Sequence, residues 1–423
     1  MTKQERIILF LLASLNFTHI LDFIVMVPLG TYLVKAFNLS AFQLSVLVAS
    51  YSISAFFSGL LVAAVIDRFD RKKALLLGYI GFLLATVACG VSVNFEMLLI
   101  SRIIAGIFGG VLGAQVLAIV SDLFEYERRG TAMAAVMSAF ALATIIGVPL
   151  SLWLTGYFDG NWHLPFLVIA GICVVLLPFL VRYLPSVKDH LGTADSQLPS
   201  RKMMAQMVLK SLTHPALIFS CIFMLGHFLI IPFIPPFLRY NKSFSEEDIL
   251  YIFLFGGAAS LISAIVLGRF SDRKGKLPVF VWSVVASLFL ILILTHMPNM
   301  YFPVALCFFS LLFMVVTVRT VMAQAMISEM VDTEKRGGFM SVNGSVQHLG
   351  QGVASIIAGL IIYTDKSKKL YHYEWVGYLS IFVLVATLIM GKIIFRNVDK
   401  NIVEEQEESL QDELINENNL KTL

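Results

Sequence analysis

AAVIDRFDRKK, residues 63–73, is one of two related stretches from which the architecture of this chain can be predicted. It follows a long apolar segment, and the second stretch, GRFSDRKGK, follows another apolar segment at residues 268–276. Their acidic residues Asp67 and Asp272 lie 205 positions apart. A charged motif that recurs at about half the chain length indicates an internal duplication.

A second pair of motifs repeats in the same way. SDLFEYERRG occupies residues 121–130, and SEMVDTEKRG occupies residues 328–337, an offset of 207 positions. Because two different motifs recur at nearly one spacing, each after an apolar segment, the sequence predicts two copies of one unit in parallel orientation.

The composition places both units in a membrane. Of the 423 residues, 58% are hydrophobic and 14% are charged, against about 45–50% and about 25% in soluble domains. The mean hydropathy is +0.83. These values exclude a soluble enzyme, a nucleic-acid binder and a disordered protein, and the long apolar runs exclude a transmembrane β-barrel, whose strands alternate.

Twelve apolar segments are each long enough to span a bilayer, for which about 20 residues are needed. Their centres lie near residues 20, 55, 84, 110, 145, 173, 226, 259, 286, 313, 350 and 385. The predicted organisation is a first six-helix half at 1–184, a cytoplasmic linker at 185–212, a second six-helix half at 213–396 and an acidic cytoplasmic tail at 397–423.

The distribution of basic residues predicts the orientation. With both termini in the cytoplasm, cytoplasmic segments hold 23 of the 31 Lys and Arg residues and external loops hold six, as the positive-inside rule requires. The apolar run after Lys3 and Arg6 is too long for a signal-peptide core and has no small-residue cleavage site, so it is expected to be retained as the first span.

The repeated charged motifs resemble a signature of the major facilitator superfamily, and the resemblance extends to about residue 396. That signature, Gly-x-x-x-Asp-Arg-x-Gly-Arg-Lys, follows the second span of the family. The second copy matches it at Gly268, Asp272, Arg273, Gly275 and Lys276, and the first copy matches it at Asp67, Arg68, Arg71 and Lys72. The resemblance implies an all-α integral membrane fold of twelve transmembrane helices in two pseudo-symmetric halves, which rock about a central site.

Three spans are similar to those of the twelve-span drug:proton antiporters and related sugar or nucleoside effluxers. Span 1, residues 16–28, resembles their acidic first span. Span 4, residues 99–106, resembles the Arg-x-x-Gln-Gly motif, with Ala105 in place of Gln. Span 5 resembles the antiporter Gly-Pro motif at Gly147 and Pro149.

Asp22 is the strongest candidate for proton coupling, because a carboxylate inside the membrane is costly and is commonly functional. It lies about 15 residues into span 1, or about 22 Å from the cytoplasmic face at 1.5 Å per residue. Arg102 in span 4 is expected at a similar depth. Such a pair can exist as an ion pair or separate when the carboxylate takes a proton, and a static structural ion pair is the alternative.

His19 precedes Asp22 by one helical turn and therefore shares its face. A titratable His there could relay protons or bind substrate, or it could simply bond a neighbouring helix. The family resemblance further implies a conformational latch on the cytoplasmic side, with topogenic charge as the alternative role. The latch candidates are Asp67, Arg68, Arg71, Lys72, Asp272 and Arg273.

Gly147 and Pro149 interrupt span 5 and predict a hinge or a tight helix seal, unless the Pro is merely tolerated. Arg319 could attract an anionic substrate group, or it could have a structural role. Positions 343, 347 and 351 are four apart and form a polar stripe that faces either a cavity or a helix seam. The substrate-cavity candidates are Asn16, Gln115, His227, Arg319, Asn343, Gln347, His348 and Gln351.

The sequence thus predicts a secondary transporter that exports a drug-like molecule, sugar or nucleoside in exchange for protons. An uptake symporter or facilitator for a sugar, nucleoside or organic acid is the first alternative, and a membrane sensor or scaffold is the second. No ATP-binding loop, metal-ligand spacing, nucleophile elbow or nucleic-acid patch occurs. We therefore expect no enzymatic activity, cofactor or metal, and as partners only substrate, protons and lipid. The expected form is a monomer in a bacterial inner membrane.

Overall fold

The computed structural model of the chain is almost entirely helical. It describes residues 2–65, 70–124, 126–186, 214–331 and 336–396. The predicted linker at 185–212 and the acidic tail at 397–423 therefore lie almost wholly outside the described residues. The helices fall into an earlier group before residue 187 and a later group after residue 213, hereafter the first half and the second half.

The first half contains eight α-helices, and a π-helical turn joins the sixth to the seventh. Its elements are α1 Lys3–Val25, α2 Gly30–Phe37, α3 Ala41–Val65, α4 Arg71–Gly90, α5 Phe95–Leu123, α6 Tyr126–Leu142, the π turn Ala143–Gly147, α7 Val148–Tyr157 and α8 His163–Tyr183.

The second half contains six long helices, a winding segment after the first of them and a short hairpin before the last. Its elements are α9 Pro215–Phe228, the turns Ile231–Phe233, Ile234–Pro236 and Phe237–Asn241, α10 Glu246–Lys274, α11 Lys276–Thr295, α12 Phe302–Glu329, α13 Arg336–Ile361, β1 Tyr363–Thr364, β2 Leu370–Tyr371 and α14 Tyr373–Ile394.

Eleven helical segments of the described residues are long and apolar enough to cross a membrane. The helix at the predicted eleventh position, α13, has 26 residues but is not among these eleven, since its polar stripe lowers its hydropathy. The chain is therefore a multi-pass membrane protein, while the count of twelve spans and the cytoplasmic position of the termini stay predictions.

Side-chain caps show why several helices begin where they do. The Thr2 hydroxyl accepts a hydrogen bond from the Glu5 backbone, and Glu5 bonds back to Thr2, so this capping box starts α1. Ser245 and Asp248 form the same box at the start of α10. Asn94 caps α5 with a bond of 2.8 Å. Each cap occupies backbone N–H groups that a helix end would otherwise leave unbonded.

Helix packing repeats between the halves. In the first half α3 and α4 both pack on α5, α4 and α1 pack on α8, and α1 packs on α6. In the second half α10 and α11 both pack on α12, α11 and α9 pack on α14, and α9 packs on α13. Each pair of the first half thus has a counterpart in the second, as a duplicated six-span unit requires.

The two halves meet chiefly where α3 lies along α13, and also where α10 crosses the π turn. Small residues bring α3 and α13 so close that a Cβ on the glycine of each pair would overlap its neighbour. The three pairs are Gly59 with Ser345, Gly352 with Ile53, and Gly359 with Ser45. Because these pairs are spread along α3, the halves touch over most of the helix length.

At the end of the bundle that carries α2, side chains of the second half form hydrogen bonds with main-chain atoms of the first half. The Tyr240 hydroxyl donates to the Thr31 carbonyl at 3.3 Å, and Lys368 Nζ donates to the Leu39 carbonyl at 3.4 Å. Thr364 in the hairpin accepts from the Ala41 backbone N–H at 2.9 Å. The bundle is therefore closed at this end, which the orientation prediction makes extracellular.

The hairpin that forms part of this closure is held by local bonds. Asn241 bonds both the carbonyl and the N–H of Leu370, at 2.7 and 2.9 Å. Asp365 in the turn accepts from the hydroxyl and backbone N–H of Ser367. The Ser367 hydroxyl is the main cause that holds the pKa of Asp365 below its usual range.

Candidate functional site

Asp22 of α1 and Arg102 of α5 form an ion pair in the middle of the first half. Arg102 Nη1 donates to Asp22 Oδ2 at 2.6 Å and to the Asp22 backbone carbonyl at 3.2 Å. Both side chains have no exposed surface. The shared depth expected from the sequence is thus realised as direct contact between two membrane-spanning helices.

Neighbouring side chains enclose the pair. The Thr86 hydroxyl of α4 donates to Asp22 Oδ1 at 3.4 Å, so the two carboxylate oxygens have different partners. The Arg102 guanidinium lies 4.7 Å from the centre of the Tyr51 ring and 6.0 Å from that of Phe166. Aromatic faces favour the cation, and the carboxylate removes the cost of burying it.

His19 lies one turn from Asp22 but bonds elsewhere. Its Nε2 lies 2.8 Å from Asn16 Oδ1, and Asn16 Nδ2 donates to the Val136 carbonyl of α6 at 2.9 Å. On the helix face that His19 shares with Asp22, hydrogen bonds through Asn16 therefore connect α1 to α6. A relay from His19 to Asp22 stays a prediction.

Arg319 of α12 and His227 of α9 form a buried contact of the second half. Arg319 Nη2 donates to His227 Nδ1 at 3.0 Å, and the guanidinium lies 5.4 Å from the centre of the Phe223 ring. Arg319 is only 1% exposed. Its Nε and Nη1 have no hydrogen-bond partner among the described residues, and no carboxylate of that set forms an ion pair with it.

The polar stripe of α13 forms a seam with neighbouring helices in this conformation. Three of its members contact helices of the second half, and the His348 ring lies against Phe23 and Tyr51 of the first half. Asn343 bonds Gln324 at 3.3 Å, Gln347 bonds Ser220 at 3.1 Å, Gln351 contacts the Met224 sulfur at 3.9 Å, and His348 Nδ1 lies 2.9 Å from Gln351 Oε1. Whether the stripe also lines a cavity stays a prediction.

Gln115 of α5 is fully buried, and neither atom of its amide has a hydrogen-bond partner among the described residues. This leaves both a donor and an acceptor available in mid-bundle, which fits a group that serves a ligand or a second conformation.

An aromatic row connects the two charged pairs. Phe23 stacks on Tyr51, with ring centres 5.3 Å apart, and on Phe228, with ring centres 5.9 Å apart. Phe228 contacts the His227 ring at 5.3 Å, and Tyr51 lies under Arg102. The row therefore runs from one arginine to the other across the contact between the halves.

The interruption of span 5 takes the form of a π turn. The turn ends at Gly147, and Pro149 is the second residue of α7. Pro has no N–H to donate to the preceding turn, and its ring crowds that turn, so the helix widens there. A Cβ on Gly147 would overlap Leu21, and one on Gly257 of α10 would lie 3.1 Å from the Ile145 backbone. Both halves thus pack closely on this turn, while its role as hinge or seal stays a prediction.

The latch candidates are only partly visible. Arg71 forms an ion pair with Asp122 at the end of α5, and Lys72 Nζ donates to the Val181 carbonyl at 2.9 Å. Asp67 and Arg68 lie outside the described residues. Asp272 and Arg273 lie in the last turn of α10, but their side chains are also outside that set. In the second half, Lys276 lies 205 positions after Arg71 and forms an ion pair with Glu329 at the end of α12.

Sequence reasoning missed several residues of this region. Thr86, Phe23, Phe223 and Phe228 were not identified as candidates. A lone Thr in a span carries no signal, and the three Phe residues cannot be told apart from the other Phe among 34 in the chain.

Comparison with known proteins places this arrangement among transporters. The family model described as the Major Facilitator Superfamily matches residues 11–318 and 216–418. The uncharacterized MFS-type transporter YceJ of Bacillus subtilis is 22% identical over 326 residues, which are 77% of this chain and 80% of YceJ. Multidrug resistance protein 2 of Bacillus subtilis is 24% identical over 286 residues, 65% of this chain and 69% of that protein.

Solved structures of the same fold are also similar. The crystal structure of the human organic anion transporter MFSD10 (TETRAN) aligns with a TM-score of 0.69 at 15% identity, and it covers 92% of this chain and 100% of that chain. At this identity the similarity shows the fold alone.

Proposed function

We propose that this chain, which belongs to the Major Facilitator Superfamily, exports a small molecule in exchange for protons by alternating access. The relatives named as multidrug resistance proteins support export of a drug-like compound, and a sugar or nucleoside remains within the proposal. The observation that carries the proton coupling is the fully buried Asp22–Arg102 pair, 2.6 Å between Oδ2 and Nη1.

A proton on Asp22 changes the charge balance of this pair. In the closed contact the carboxylate and the guanidinium neutralise each other's charge. A proton on Oδ2 removes the negative charge and the acceptor that Arg102 uses. Arg102 is then a buried cation without a counter-charge, which favours a conformation that gives it water or another partner.

Contacts of the pair offer a route from its charge to the contact between the halves. Tyr51 lies on α3, against the Arg102 guanidinium, and its ring is 6.3 Å from that of His348 on α13. Because α3 and α13 form the main contact between the halves, a shift of Arg102 changes the packing at that contact. Proton binding is thereby coupled to separation of the halves.

The test compares wild type with Asp22→Asn in proteoliposomes that carry an imposed pH gradient. Wild type is expected to accumulate substrates from a drug-like panel in exchange for protons. Asp22→Asn is expected to lose accumulation and substrate-induced proton release, while it retains downhill exchange. Glu96→Gln removes an exposed carboxylate from the first turn of α5 and serves as the matched control, with wild-type transport expected.

Three results would contradict the proposal. Unchanged accumulation by Asp22→Asn would leave the pair with a structural role only. Accumulation that follows protons in the same direction would identify an uptake symporter, and substrate movement without protons would identify a facilitator.

A further inference from the structure

Arg319 is a buried cation for which the described part of the chain supplies no counter-charge. It is 1% exposed, and Nε and Nη1 have no hydrogen-bond partner in that part. Its one hydrogen bond goes to a ring nitrogen of His227, which is a neutral acceptor when it receives an N–H. An uncompensated charge in a span costs at least a few kcal/mol, so an anionic group bound beside Arg319 would lower that cost.

The free donors suit an anionic group. A guanidinium presents its N–H groups in a planar fork that matches a carboxylate or phosphate. With one Nη2 hydrogen held by His227, Nε and Nη1 remain to donate. They lie on different edges of the guanidinium, so each can donate one charge-assisted hydrogen bond to an anion. The Phe223 ring at 5.4 Å covers one face of the guanidinium, so the fork is held in place before a ligand arrives, which favours binding.

Aromatic surface lies directly beside this fork. His227 contacts Phe228 at 5.3 Å, and Phe228 stacks on Phe23 at 5.9 Å. A ligand whose charge reaches Arg319 would place its remaining atoms along these rings. A flat apolar body can stack there in place of the ring contacts between the halves.

We infer that Arg319 binds the anionic group of the transported molecule, and that the cargo is an organic anion with an aromatic or apolar body. This rests on the proposed function, because it takes the site between the halves to be the transport site. It narrows the cargo from drug-like compounds in general to those that carry a carboxylate or a similar group.

The test is equilibrium binding of two matched probes to the purified protein in detergent, measured by calorimetry without any gradient. The probes are 1-naphthoate and its neutral isostere 1-naphthamide. We expect wild type to bind 1-naphthoate at least about tenfold more tightly, as a charge-assisted hydrogen bond allows. Arg319→Gln should abolish that preference, and Arg319→Lys should keep part of it.

Arg182→Gln is the matched control, since it removes an exposed arginine from the end of α8, and its preference should equal that of wild type. Equal binding of the two probes, no binding of either, or a preference that survives in Arg319→Gln overturns the inference. Displacement of 1-naphthoate by inorganic phosphate at equal concentration would assign the site to free inorganic anions and also overturn it.

Binding and proton coupling can fail separately. The calorimetric result needs no gradient and does not pass through Asp22, so loss of proton-coupled export in vesicles would leave the assignment of Arg319 standing. Conversely, loss of the naphthoate preference would leave the test of Asp22 unaffected.

Discussion

Each half of the molecule buries one arginine in mid-bundle, and the two halves surround it differently. Arg102 of the first half contacts a carboxylate at 2.6 Å and a tyrosine face at 4.7 Å. Arg319 of the second half contacts an imidazole nitrogen at 3.0 Å and a phenylalanine face at 5.4 Å. The two environments are alike in aromatic cover and differ in counter-charge.

The repeat shows where this difference arises. The offset of 205 residues that relates Asp67 to Asp272 also relates Asp22 to His227. A histidine thus occupies in α9 the position that the carboxylate occupies in α1, whereas Arg102 and Arg319 lie 217 positions apart and are not equivalent positions of the repeat. We interpret the difference as a separation of roles, in which the first half binds the proton and the second half binds the anionic group of the cargo.

The largest expected effect is a change in the free energy of unfolding when the buried sites of Arg102 and Arg319 are altered in turn. Asp22→Ala leaves Arg102 buried without a carboxylate and is expected to lower the free energy of unfolding by about 3–5 kcal/mol. Arg319→Gln removes a cation that has no carboxylate among the described residues, so we expect no loss or a gain. Detergent-denaturation midpoints of the purified variants measure both, and equal losses would show that the two sites are equivalent.

A smaller effect is expected when the second half is given the carboxylate of the first. In His227→Asp, the new side chain can pair with Arg319 and occupy the donors offered to a ligand. We expect the affinity for 1-naphthoate to fall at least about tenfold, and a tenfold change corresponds to about 1.4 kcal/mol. The unfolding midpoint should rise. His227→Asn has a similar size without the charge and should weaken binding less, whereas equal weakening by both variants would contradict charge compensation.

The smallest effects are expected at the ends of the helices, where the halves match. Arg71 pairs with Asp122, and Lys276 pairs with Glu329. The Arg71 side chain is buried, and the other three side chains are partly exposed. Arg71→Gln and Lys276→Gln should each lower the unfolding free energy by about 1–2 kcal/mol, less than Asp22→Ala, because at least one partner of each pair is accessible to water. Unfolding midpoints that differ strongly between these two variants would mean that the asymmetry of the halves extends beyond mid-bundle.

The sequence was sufficient for the multi-pass helical architecture and for the similar depth of Asp22 and Arg102, because charged residues inside apolar runs are conspicuous and their depth follows from helix rise. It identified Arg319 and His227 singly but not their contact, since spacing along one helix leaves the rotation and neighbours of another helix undetermined. The aromatic row could not be predicted for the same reason, because nothing in the sequence distinguishes Phe23 and Phe228 from a lipid-facing Phe.

The π turn shows an intermediate case. Pro149 predicted an interruption of span 5, but a Pro allows a kink, a break or a widened turn. Which of these forms depends on neighbours, here Leu21 of α1 and Gly257 of α10, which press on the turn from two sides. Local sequence therefore located the irregularity, and packing decided its shape.

The closure at the α2 end has a consequence for mutational tolerance. Three of its hydrogen bonds join side chains of the second half to main-chain atoms of Thr31, Leu39 and Ala41. Every residue type has a main-chain carbonyl, and every type except proline has a main-chain N–H, so these three bonds do not depend on which side chains the first half carries at the three positions. Because Thr31, Leu39 and Ala41 are buried, substitution there is limited by the size of the side chain and not by its hydrogen-bonding groups. Tyr240, Thr364 and Lys368, in contrast, must keep the groups that form these bonds.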